Sequence, residues 1–78
     1  MKEKQPWMVL TFPTTTAAMA METLCAKAGL PGRLIPVPRE ITAGCGMSWR
    51  APLESREVLT AAARQAGLPL DGIYEILL

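Results

Sequence analysis

The tetrapeptide Ala-Gly-Leu-Pro stands at residues 28–31 and recurs at residues 66–69, an offset of almost half of the 78-residue chain. Apolar residues precede both copies at the i, i+4 spacing of an amphipathic helix. In each copy the glycine can take the left-handed conformation that ends a helix, and the proline prevents continuation. The repeat predicts two equivalent helices. Their apolar stripes are Ala20, Met21, Leu24 and Ala28 in the first and Val58, Leu59, Ala62 and Ala66 in the second.

Strand-like segments flank both predicted helices and give the order βαββαβ. They cover residues 7–12, 34–38, 47–50 and 73–77. Two βαβ units with right-handed crossovers assemble most simply into a four-stranded antiparallel sheet with two helices on one face, the ferredoxin-like sandwich. The predicted fold class is α+β, in a single domain over residues 1–78 that starts with a loose segment over residues 1–6.

The residues at the start of each predicted helix are of types that favour a helix N-terminus. The threonine run over residues 14–16 offers an N-cap for the first helix. Pro52, Glu54 and Glu57 suit the first turn of the second, where a fixed φ angle and negative charge are favourable.

Two prolines test the placement of the second strand, which the topology puts at an edge of the sheet. Pro36 and Pro38 cannot donate hydrogen bonds to a neighbouring strand. Their spacing of two points both missing donors to the solvent side, while Val37 can still bond inward. The prolines also protect this edge from pairing with another chain.

The first strand is apolar throughout, so its side chains on the face of the sheet that carries no helices also need to be covered. Trp7 and Trp49 are the candidates, either within a homodimer or as core side chains, and the core interpretation is favoured.

Composition excludes several classes of function. The net charge is +1, so nucleic acid is not the expected partner. The chain has no histidine, and two cysteines cannot close a zinc site, so we expect neither a metal nor a cofactor. The apolar run ends at Pro13, too early for a secretion signal or a membrane span. We expect a cytoplasmic protein that does not bind membranes, with reduced cysteines.

The segment between the second and third strands contains the most reactive side chain. Cys45 lies between Gly44 and Gly46, which remove steric cover and permit positive φ angles. One interpretation of this pattern is an exposed, reactive thiol. The alternative carries equal weight: Gly-x-Gly is also ordinary turn chemistry, and cysteine is often a small buried apolar residue.

Two cations flank this segment. A nearby positive charge raises the thiolate fraction of a cysteine, and Arg39 and Arg50 are the candidates for that role. Cys25 differs from Cys45 because it follows the apolar stripe of the first helix, where we expect it to be buried. A redox pair of Cys25 with Cys45 would lack the close spacing of thioredoxin-like motifs.

Residues 34–50 resemble a small bacterial family, the selenium/sulfur carrier protein-like proteins. The similarity covers nearly the whole chain after the first few residues. The shared elements are Thr or Ser at the entry to the first helix, Pro-Arg-Glu-Ile at residues 38–41, the Cys-Gly turn, an arginine soon after it, and Gly-Ile-Tyr at residues 72–74. Two departures are Trp49, where a smaller residue is expected, and the additional Cys25.

The resemblance implies that Cys45 accepts sulfur or selenium as a persulfide or selenopersulfide and passes it between enzymes. A cysteine desulfurase or another sulfur- or selenium-transfer protein is the implied partner, and the protein would be a carrier rather than a catalyst. In this interpretation Arg39 and Arg50 stabilise the anion, while Gly44 and Gly46 keep access open.

A second hypothesis is a regulatory or interaction module that dimerises through its open sheet face and binds a small ligand. In that case Cys45 is structural and dispensable. A thiol-dependent enzyme is less well supported, because the chain has no histidine to act as a base.

Overall fold

The computed structural model describes residues 3–42 and 44–78. Its elements are β1 (Pro6–Thr11), α1 (Thr15–Ala28), β2 (Arg33–Pro36), β3 (Met47–Ala51), a 3₁₀ turn (Leu53–Ser55), α2 (Arg56–Gln65) and β4 (Gly72–Leu77). The predicted α+β class and the order βαββαβ are confirmed.

Four strands form one antiparallel sheet in the order β2-β3-β1-β4. Each helix connects two parallel strands that have a third strand between them, which is the arrangement expected for two interleaved βαβ units. β2 lies at one edge, as predicted. β4 occupies the other edge.

The predicted loose segment over residues 1–6 is held more firmly at its end than expected. Its residues 1–2 lie outside the described part of the chain. Gln5 and Leu78 exchange two backbone hydrogen bonds, of 3.0 and 2.9 Å, and Pro6 already belongs to β1. The sheet pairing therefore extends to the last residue of the chain.

The hydrophobic core lies between the sheet and the helices. Met8, Leu10 and Trp49 from the sheet pack there against Met21 and other helix residues. Side chains that alternate with these point to the opposite side, which we call the helix-free face. Its strand residues are Trp7, Val9, Thr11, Arg33, Ile35, Ser48, Arg50, Gly72, Tyr74 and Ile76.

The buried sides of the helices differ from the predicted stripes. Met21 and Cys25 are buried in α1, and Leu59 and Ala63 take the same positions in α2, so the 38-residue offset holds. However, Ala20, Ala28, Val58 and Ala66 are exposed. The prediction was wrong at Ala20, Ala28 and Ala66 because alanine is small enough to be tolerated on either side of a helix. It was wrong at Val58 because this residue comes directly before Leu59, and successive helix residues are rotated by about 100°, which turns Val58 away from the buried side.

Both helices end as the repeat predicts. Gly29 and Gly67 each have a φ angle of 68°. The amide of Leu30 donates to the Cys25 carbonyl at 2.9 Å, and that of Leu68 donates to the Ala63 carbonyl at 2.9 Å. These bonds satisfy carbonyls that the end of a helix would otherwise leave unpaired.

Thr14 is the N-cap of α1, and its side chain accepts a hydrogen bond of 3.1 Å from the Ala17 amide. Thr14→Ala should lower the free energy of unfolding by about 1 kcal/mol, because it removes that acceptor. Urea denaturation followed by circular dichroism measures the effect. Thr23→Ala, in the exposed middle of the same helix, is the control and should change stability by less. Equal effects of the two substitutions would contradict the capping role.

The proline-containing edge is shorter than predicted, since β2 ends at Pro36 rather than at Pro38. The inward bond of Val37 is confirmed: its amide donates to the Gly46 carbonyl at 3.0 Å.

The two tryptophans lie on opposite faces of the sheet. Trp49 is in the core, where its indole Nε1 donates to the Pro31 carbonyl at 3.1 Å. Trp7 is on the helix-free face, partly buried beneath the Arg50 guanidinium. Val9, at the centre of that face, is fully buried within a single chain. The face is therefore partly covered without a second copy.

Within the described residues, none of the helices has the length and apolar character needed to cross a lipid bilayer.

Candidate functional site

The segment that connects β2 to β3, residues 37–46, carries Cys45 and is called here the Cys45 loop. Backbone hydrogen bonds hold both of its ends: Val37 pairs with Gly46, and the Cys45 amide donates to the Phe12 carbonyl at 3.1 Å. In between, the side chain of Ile41 is only 6% exposed. The loop is thus attached to the sheet at the position of the cysteine itself.

The two glycines beside Cys45 have different surroundings. Their φ angles are 92° at Gly44 and 95° at Gly46, conformations that other residues rarely adopt. A Cβ atom on Gly44 would lie 3.2 Å from the Phe12 carbonyl oxygen and 3.4 Å from the Thr11 Cβ, whereas one on Gly46 would contact nothing within 4 Å. Gly44 therefore permits close packing on β1, and Gly46 leaves open space on the other side of the cysteine.

Cys45 is half-buried, between the exposed thiol of the first interpretation and the buried cysteine of the alternative. It packs against the margin of the hydrophobic core, and its Sγ lies 3.8 Å from the Met47 carbonyl oxygen. These contacts limit the directions of approach to the sulfur, and the residue as a whole is half-buried.

The structure does not bring Arg50 to the thiol. Arg50 lies in β3 three residues beyond Met47, about 10 Å of extended chain further from the loop. Its guanidinium carbon is 4.2 Å from the centroid of the Trp7 ring. Arg39 is exposed within the Cys45 loop. Of the two predicted cations, only Arg39 shares a segment with Cys45.

A different source of positive potential lies beside the loop. Phe12, which accepts the hydrogen bond from Cys45, comes two residues before Thr14, the N-cap of α1. The first turn of α1 contains no acidic residue, and the amides of Thr15 and Thr16 have no acceptor within the helix. The N-terminus of a helix favours negative charge nearby. In the sequence, this positive potential at the start of α1 is indicated only by the threonine run and by the lack of an acidic residue next to it.

A hydrogen-bonded pair supports the strand beneath Gly44. The buried Thr11 hydroxyl donates to Asp71 Oδ2 at 3.3 Å, and the Asp71 amide donates to the Thr11 carbonyl at 2.7 Å. These bonds connect the start of β4 to the residue on which the loop packs.

Cys25 lies on the side of α1 that faces the core and is only 2% exposed, which confirms its predicted burial. Burial raises the pKa of its thiol, so the protonated and less reactive form is favoured. The two cysteines therefore differ in burial, and burial also lowers the thiolate fraction of Cys25.

Over residues 3–42 and 44–78 there is no group of three or more His, Cys, Asp or Glu side chains that could hold a metal ion.

These features define a small α+β domain that presents one accessible cysteine in a glycine-flanked loop. The family model described as "Putative Se/S carrier protein-like" matches residues 8–75, so the chain belongs to this selenium/sulfur carrier family. No curated protein and no solved structure matches the chain significantly.

Proposed function

We propose that the protein carries a sulfur or selenium atom on Cys45 and hands it to a partner enzyme. The observation that carries this proposal is the contrast between the two cysteines: Cys45 is held in a partly open loop, and Cys25 is enclosed in the core. Family membership supports the same chemical role.

Loading is a thiol exchange without net oxidation. The Cys45 thiolate attacks the outer sulfur of a donor persulfide, a new bond forms between Cys45 Sγ and that sulfur, and the bond between the donor's two sulfurs breaks. The donor leaves as a thiolate, which takes up a proton. Transfer to the acceptor repeats the exchange with an acceptor thiolate as the attacking group, and selenium can replace the outer sulfur in both steps.

Two groups are suited to stabilise the persulfide anion. The N-terminus of α1 contributes fixed positive potential beside the Phe12 carbonyl, and Arg39 contributes a charge from the same loop. Arg50 is not retained in this role because it stacks on Trp7. Gly44 sets the path of the loop, and Gly46 leaves the approach to sulfur open.

The test is mass spectrometry of the intact protein after incubation with a cysteine desulfurase and cysteine. We expect the mass of one sulfur atom to be added to the wild type and to Cys25→Ala, and none to be added to Cys45→Ala. Unchanged loading of Cys45→Ala with sulfur would contradict the proposal. That result would instead point to Cys25, the other thiol of the chain, whereas absence of loading in the wild type would favour the interaction module.

A further inference from the structure

The helix-free face carries an unusual pair of like charges. Arg33 on β2 and Arg50 on β3 are directly opposed, and both point away from the core because their neighbours Leu34 and Trp49 pack into it. Cβ atoms of directly opposed residues lie about 5 Å apart. The Arg50 guanidinium extends from there over Trp7 on β1, on the side of β3 away from Arg33, so the two arginines spread positive charge across three strands of this face.

The described strands contribute no carboxylate to this face, and the Asp71 carboxylate, which precedes β4, is hydrogen-bonded to Thr11 at the end of β1 away from Trp7. All strand residues of the face are apolar, polar or basic. The Nε atom of Arg50 is buried and has no hydrogen-bond partner among the described residues. A basin of about 760 Å³ is lined by Trp7 and Arg50 together with Glu3, Lys4, Gln5 and Leu78, so two basic side chains and one acidic side chain border it.

Trp7 holds the Arg50 guanidinium in place, with 4.2 Å between the guanidinium carbon and the ring centroid. This cation–π contact restricts the side chain before any ligand arrives, which reduces the entropy lost on binding. The same contact occupies one side of the indole ring. That side is therefore not free to stack on a nucleic-acid base, the contact that single-stranded nucleic acids use most.

We propose that this part of the helix-free face, formed by Arg33, Arg50 and Trp7, binds an acidic segment of a partner protein. Two cations on adjacent strands match two carboxylates from neighbouring positions of one chain, and arginine binds carboxylates through paired hydrogen bonds. A second copy is a poor occupant, because the described strand residues of this face offer no carboxylate to pair with the arginines.

The binding surface is distinct from the Cys45 loop. Gly44 packs on Thr11, at the end of β1 away from Trp7. An acidic segment bound at Arg33 and Arg50 therefore leaves the thiol end of the sheet uncovered. The inference does not require cargo on Cys45, so its failure and the failure of the carrier proposal are separate results.

The experiment is an NMR titration of the ¹⁵N-labelled full chain with hexaglutamate at low ionic strength. We expect saturable shifts at Trp7, Arg33 and the Arg50 Nε–H. Hexaglutamine should cause none. Arg33→Glu should weaken binding about tenfold, since it removes a charge-assisted contact. Arg33 is exposed, so this variant should keep its fold. Added salt should also weaken binding.

Arg64→Glu, on the exposed side of α2, is the control because it changes the net charge equally. It should bind hexaglutamate within about twofold of the wild type, as expected for a screened distant charge. The proposal is overturned if hexaglutamate does not bind saturably, or if Arg33→Glu and Arg64→Glu lose equal affinity for it. It is also overturned if oligothymidylate binds more tightly than hexaglutamate, or if sedimentation experiments show a dimer that buries this face.

Discussion

Gly32→Ala should lower the free energy of unfolding by about 3 kcal/mol, from overpacking and an unfavourable backbone conformation together. Gly32 has a φ angle of 122°, and an added Cβ would overlap the Trp49 indole nitrogen and lie 2.7 Å from the Arg50 carbonyl oxygen. The indole Nε1 donates a hydrogen bond to the Pro31 carbonyl, so the ring cannot move away without losing that partner.

Urea denaturation of both glycine variants measures this effect. Gly29→Ala is the matched control, because Gly29 also has a positive φ angle, 68°, but has nothing within 4 Å of an added Cβ. It should cost only about 1 kcal/mol, the penalty of a left-handed alanine. If the two variants were equally destabilised, close packing of Gly32 against Trp49 would not be the cause.

Cys45 should react with iodoacetamide at least about 100-fold faster than Cys25 in the folded protein, because buried groups react only through rare opening of the structure. Cys25 is 2% exposed, and burial raises the pKa of its thiol. Cys45 needs no such opening because its thiol is partly accessible.

The rates are measured on Cys25→Ala and Cys45→Ala, each of which retains one thiol. Repeating the reaction in concentrated urea is the control, since unfolding should bring the two rates close together. Similar rates in the folded state would show that Cys45 is not the more accessible thiol.

Periodicity and end signals in the sequence were sufficient to predict the fold. The repeated Ala-Gly-Leu-Pro placed both helix ends, and the glycines adopt the same φ angle in each copy. The alanines of the stripes were misplaced because their small side chains carry little information on burial.

Long-range geometry in the site could not be predicted in the same way. Arg50 follows Cys45 closely in sequence, but an extended strand carries it away from the loop and toward Trp7. The approach of Cys45 to Phe12 depends on the pairing of β1 with β3 and on the path of the loop. Local patterns determine neither the loop path nor which residue accepts the hydrogen bond of the Cys45 amide.

The central claim is that Cys45 holds the transferred atom, and peptide mapping of the loaded wild-type protein tests it most directly. Trypsin separates the cysteines without any substitution, since residues 5–27 contain Cys25 and residues 40–50 contain Cys45. The persulfide is capped with iodoacetamide before digestion, and a sample treated with dithiothreitol, which removes the cargo, is the control. We predict the added sulfur on the peptide of residues 40–50 only. Sulfur on the peptide of residues 5–27, or on neither peptide, would contradict the claim.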